Sequence, residues 1–160
     1  MQGDPQVIDY LNKALTNELT AINQYWLHYR VLDNWGIEML AEYERHESID
    51  EMKHADRLAD RILFLEGLPN FQALHKLKVG ENVEEILKAD LALELEAIPL
   101  LKDAIAHCET VRDYTSRELF EDILDNEEEH VDFLEKQFEM IARMGLQNYI
   151  QLNSKAPEAS

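Results

Sequence analysis

Two short stretches carry the residues most able to do chemistry: Glu51-Met52-Lys53-His54 and Glu127-Glu128-Glu129-His130. Each sets a carboxylate and an imidazole three positions apart, so on a helix the two side chains share a face. Of the six histidines, only His54 and His130 follow a glutamate at that spacing. Oxygen-rich ligation with imidazole and no thiolate suits iron or manganese better than structural zinc. With 21 glutamates in the chain, one such pair alone is more simply a surface ion pair. Two in the same register are hard to obtain by accident.

The faces that carry them are otherwise apolar. Four stripes at helical spacing can be read from the sequence: Leu11, Leu15, Glu18, Ile22, Tyr25; Glu47, Glu51, His54, Leu58, Ile62; Leu87, Leu91, Glu94, Ile98, Leu101, Ile105, Cys108; and Phe120, Ile123, Glu127, His130, Leu134, Phe138, Ile141. Glutamate interrupts each stripe near its midpoint. The same interval separates Glu18 from Glu94, Glu51 from Glu127 and His54 from His130, so the chain reads as a doubled helical hairpin. Four ionised carboxylates in one core would each cost several kcal/mol and would repel one another. Two divalent cations would neutralise them, and two imidazoles would complete the coordination. A Glu from each of two helices with Glu-x-x-His from the other two is the known pattern of ferritin-like dimetal bundles.

The elements that must hold these residues can be placed from their ends. Asp4-Pro5 opens a first helix with an N-cap acceptor and a proline at the first helical position. The segment Asp33-Asn34-Trp35-Gly36 breaks it, and a second helix runs to about Leu65 before Gly67-Leu68-Pro69. A stretch without clear periodicity leads to Gly80. Asn82 with Glu85 opens a third helix to about Cys108, and Asp113 caps a fourth that ends at Gly145. Each long helix spans roughly 42 Å at 1.5 Å per residue. Tight links join first to second and third to fourth, while the middle link is long enough to travel the bundle. The expected fold is all-α: a four-helix bundle with one long crossover and a short fifth helix, LQNYIQL. One domain is expected over residues 1–153, with a disordered polar tail over 154–160. Pro99 lies inside the third helix and is expected to kink it.

Composition narrows the function classes. A net charge of −18 argues against nucleic acid and suits a protein that attracts cations, although a solvated acidic surface is the plainer reading of charge alone. One cysteine, Cys108, can build neither an internal disulfide nor a Cys-rich metal site. No secretory signal and no run long enough to span a membrane are visible, so a cytoplasmic location is the expectation.

With these residues in place, the sequence resembles a bacterioferritin along essentially its full length, through MQGDPQVIDYLNKAL, NELTAINQY, HESIDEMKHADR, RILFLEGLPN, DLALELE, EEEHVDFLE and MGLQNYIQ. The resemblance implies an iron-storage protein with ferroxidase activity, oxidising ferrous iron by dioxygen or peroxide. It implies that Glu51 and Glu127 bridge two irons, with Glu18 and His54 on one terminal side and Glu94 and His130 on the other. It implies a hollow homo-oligomer of twenty-four subunits built from dimers, with an electron donor for iron release; charge and the lack of a long apolar run already argue against nucleic-acid and membrane partners. It also implies that Met52 ligates a non-covalent haem b shared by two subunits. Trp26 and Arg45 stand where family members commonly carry other aromatics. Tyr25 is either a partner for a ligand carboxylate or a plain core tyrosine. His46 and Asp50, spaced i,i+4, resemble an inner-surface iron site or form a solvated pair. The competing reading is a ferritin-like di-iron oxidase or peroxidase without storage.

Overall fold

A computed structural model describes residues 1–158. Four long helices and one short one follow in order: α1 Pro5–Asn34, α2 Glu38–Phe64, α3 Val83–Val111, α4 Tyr114–Met144 and α5 Leu146–Leu152. The described residues contain no strand. Residues 159–160 of the expected tail lie outside the described residues.

The helix ends form where capping chemistry puts them. Asp4 accepts from the Val7 N–H, Asn82 from the Glu85 N–H and Asp113 from the Ser116 N–H, each satisfying an otherwise orphaned donor. Glu85 does not close a reciprocal capping box on Asn82; its carboxylate accepts from the Glu81 N–H instead. The turn between α1 and α2 needs Gly36, whose φ of 81° lies in the left-handed region. α3 continues through Pro99 and three residues beyond Cys108, the expected end.

The crossover from α2 to α3 is tied along the flank of α1. Asn12 donates to the Leu68 carbonyl and accepts from the Asn70 N–H at 2.8 Å. Further along, Thr20 Oγ1 accepts from the His75 N–H, Gln24 Oε1 from the Lys78 N–H and His28 Nε2 from the Gly80 N–H. Thr20, Gln24 and His28 recur every four residues, so one edge of α1 serves as the acceptor row for a strap with no secondary structure of its own. Gly80 has to be glycine: a Cβ there would lie 2.3 Å from the Ile86 nitrogen.

Apolar packing divides into two blocks. One end of the bundle holds Leu11, Leu15, Leu58, Ile62, Leu101, Phe120 and Ile123. The other holds Leu32, Leu40, Ile86, Leu87, Leu134 and Tyr149, with α5 packed on it. Ala21, Tyr25 and Leu93 form a small separate cluster. The carboxylates take up the interruption between the blocks.

Candidate metal centre

All six expected residues are buried and come together. Glu18 arises from α1, Glu51 and His54 from α2, Glu94 from α3, and Glu127 and His130 from α4. Even the most exposed, His54, shows only 9% of its surface. Glu18, Glu51, His54 and Glu127 each offer one ligand atom, all within 4.8 Å of one another. His54 Nδ1 faces Glu51 Oε2 at 3.5 Å, Glu18 Oε2 at 3.7 Å and Glu127 Oε1 at 3.8 Å. These separations are too long for hydrogen bonds. On the other side His130 Nδ1 lies 3.1 Å from Glu94 Oε1, and the Tyr25 hydroxyl donates to the same oxygen. Tyr25 is therefore a partner of the candidate ligand carboxylate. A narrow cavity lined by Asn17, Ala21 and Ala97 reaches Glu18, Glu51, Glu94 and Glu127.

Seven ligand-type atoms of these six residues are buried without a hydrogen-bond partner: Glu18 Oε2, both oxygens of Glu51, His54 Nδ1, Glu94 Oε2, Glu127 Oε1 and His130 Nε2. Buried polar atoms are ordinarily paired, so this concentration calls for a ligand. Hard oxygens with one imidazole on each side fit two ferrous or manganous ions.

Without cations, protons take over part of the neutralisation. Burial and then the adjacent Glu51 charge push the Glu127 carboxyl well above the usual range. For His130, burial favours the neutral ring, but the bond to Glu94 and the charges of Glu94, Glu47 and Asp90 outweigh it. Its value rises from 6.5 to about 9.

A family model described as a Ferritin-like domain matches residues 8–144. The bacterioferritin of Brucella melitensis is 50% identical over 154 residues, covering 96% of each chain. That of Rhodobacter capsulatus is 47% identical over 160 residues, covering 100% of this chain and 99% of its own. That of Mycobacterium avium is 50% identical over 149 residues, covering 93% of this chain and 94% of its own. The chain belongs to the bacterioferritin family. The ferritin-like bundle expected from the glutamate and histidine pattern is thereby its fold as well.

Other positions singled out in the sequence fall outside this centre. Met52 is 42% exposed on the outer side of α2, and Trp26 is 38% exposed on α1. His46 and Asp50 do not pair with each other. His46 Nε2 meets Glu42 at 3.2 Å and Asp50 meets Lys53 at 3.7 Å, so neighbours on the same helix satisfy both.

Sequence reasoning missed two groups. Glu47 was placed on the α2 stripe without a role, yet its Oε2 is unpartnered and lies 3.6 Å from His130 Nδ1. A second buried polar cluster, Gln24, His28, Glu44 and Asp90, lies among the same helices. Its signal was present: Glu44 is one heptad before Glu51, and Asp90 is one turn before Glu94.

Proposed function

We propose that the chain is an iron-storage subunit in which Glu18, Glu51, His54, Glu94, Glu127 and His130 bind two ferrous ions for oxidation. The seven unpartnered ligand atoms in one water-poor core carry this reading. Glu51 from α2 and Glu127 from α4 would bridge the two ions. Glu18 with His54, and Glu94 with His130, complete the two sides. Tyr25 holds Glu94 Oε1 and leaves Oε2 free to ligate. Two ferrous ions give up two electrons. With two protons these reduce dioxygen to hydrogen peroxide, or peroxide to two waters. The protons held on His130 and Glu127 are released when cations replace them.

Storage follows from family membership: the proposed assembly is a hollow homo-oligomer of twenty-four chains in the cytoplasm, built from dimers, that accumulates ferric mineral. No described helix is long and apolar enough to cross a membrane. The bundle over residues 1–153 carries the activity. Met52 is proposed to hold a non-covalent haem b between two copies. Its thioether is exposed, as is Trp26 on α1, and it fits a soft axial ligand on a face that a second copy would cover. The haem would supply one-electron chemistry for releasing iron.

Anaerobic loading with ferrous iron, exposure to air and sizing test the proposal. A large shell with an electron-dense ferric core is expected. A dimer holding two irons per chain, with no mineral, would assign the chain instead to di-iron oxidases without storage.

A further inference from the structure

The two hairpins each have a short turn that sets the relative heights of their helices. Nothing so local sets the height of one hairpin against the other, because the crossover between them is long. A slide of one helical turn is about 5.4 Å. That would carry Glu94 and Glu127 away from Glu18 and Glu51. Some long-range contact must define this register.

Asp90 is placed to do it. Its Oδ1 accepts from Gln24 Nε2 at 3.0 Å and from His28 Nδ1 at 2.9 Å, joining α3 to α1. All three side chains are fully buried. The same Gln24 and His28 accept the Lys78 and Gly80 N–H groups, so the end of the crossover belongs to the network. On α1, Tyr25 follows Gln24 directly; on α3, Glu94 is one turn after Asp90. The Asp90 contacts and the Tyr25–Glu94 contact are thus adjacent rungs between the same two helices. From α2, Glu44 brings a third element to the cluster.

Two oxygens in this cluster, Glu44 Oε2 and Asp90 Oδ2, are buried without partners. One proton shared between them would satisfy both. A cation is the alternative, and the histidine opposes it. His28 Nε2 accepts from Gly80, so the ring proton is on Nδ1, aimed at Asp90. Ligation through Nδ1 would remove that proton and require one on Nε2, against the Gly80 donor. Burial and the Asp90 charge also favour a protonated Glu44 carboxyl.

We propose that Asp90, sharing one proton with Glu44, is a positioning residue that locks the two hairpins in register and so sets the Tyr25–Glu94–His130 side of the metal centre. This rests on the dimetal reading above. Like other outer partners of metal ligands, it acts through the groups it orients.

Anaerobic titration of the apo assembly with Co(II), followed by the absorption bands of the bound ion, tests the lock with a probe that undergoes no turnover. Wild type should bind two ions per chain, and Glu94→Ala should lose one. Fewer than two ions in wild type, or no loss in Glu94→Ala, would sink the dimetal reading whatever Asp90 does. Asp90→Ala should weaken binding about tenfold at the Glu94–His130 side and alter those bands. Asp90→Asn should restore both, because its amide oxygen still accepts from Gln24 and His28 while its NH2 donates to Glu44. Glu44→Gln should likewise match wild type, standing in for the protonated acid. Unchanged bands and affinity in Asp90→Ala would overturn the lock. A third Co(II) in wild type that disappears in Asp90→Asn or Glu44→Gln would overturn it in favour of a cation site. If Asp90→Ala does not fold, Gln24→Met decides. It removes one Asp90 donor at similar volume, and a wild-type spectrum and affinity in it would overturn the proposal.

Discussion

Metal loading should be a proton exchange, and its pH dependence can be worked from the geometry. His130 must give up a proton before a ring nitrogen can ligate, because the doubly protonated imidazolium has no free lone pair. With its value at about 9, removing that proton at pH 7 spans two pH units, or roughly 3 kcal/mol. Glu127 adds a second proton, because burial and the neighbouring Glu51 charge push its carboxyl well above the usual range. Apparent affinity for a redox-inert divalent ion such as Mn(II) should therefore rise about tenfold per pH unit for each proton released between pH 7 and 9.

The stability of the apo protein should move the opposite way. Both groups have folded values raised above their unfolded ones, so the folded chain binds the extra protons. For His130 the contribution is fully present below 6.5 and is lost as pH rises through about 9. For Glu127, stability falls as pH climbs above 4.5 toward its raised folded value, because ionising the buried carboxyl is disfavoured. Apo protein should melt at lower temperature at pH 9 than at pH 6, and Mn(II) should reverse that trend. Calorimetric titration in two buffers of different protonation enthalpy counts the protons directly. A pH-independent affinity with no proton release would refute the reasoning, since it would mean the empty site holds no protons for the metal to displace.

Further outcomes can be stated briefly. Glu94→Ala should abolish rapid ferrous oxidation, measured by stopped-flow absorbance, while circular dichroism shows the helices retained. Met52→Leu nearly conserves volume and should remove haem absorption without affecting shell assembly or ferrous oxidation. Retained haem would point to another ligand. Gly80→Ala should lower the melting temperature by several degrees, because the new Cβ meets the Ile86 backbone nitrogen at 2.3 Å. With −18 charges per chain, iron uptake should slow as monovalent salt rises, whereas oxidation of iron premixed anaerobically should change little. Equal slowing of both phases would mean the acidic surface does not steer iron.

The candidate metal centre was legible as a cluster because its residues violate a pattern. A carboxylate on an apolar stripe stands out, and the repeat of Glu18, Glu51 and His54 as Glu94, Glu127 and His130 gave an internal check that composition could not. Helix ends at Asp4, Asn82 and Asp113 were legible for a similar reason, since caps are local chemistry. The acceptor row on α1 was not. Thr20, Gln24 and His28 fall outside the apolar stripe, where polar side chains ordinarily face water, and nothing local reveals that an irregular strap will cover them. His46 and Asp50 show the converse: their spacing permits a pair, but Glu42 and Lys53 on the same helix take each as a partner instead.

That contrast has a physical basis in how the bundle is connected. Spacing within one helix fixes which side chains share a face, so a site built from one face of each helix is visible in the sequence. The height of one hairpin against the other depends on contacts between residues far apart in the chain, such as Gln24 with Asp90 and Tyr25 with Glu94. A buried charge network is costly if any member is unpaired and strongly orienting if all are satisfied. In this bundle it lies one turn from the candidate metal ligands, where an error of register would be felt most. The apolar blocks at either end pack closely, but their attraction has no direction of its own. Hydrogen bonds to Asp90 are directional, and they add the orientation that six converging candidate ligands require.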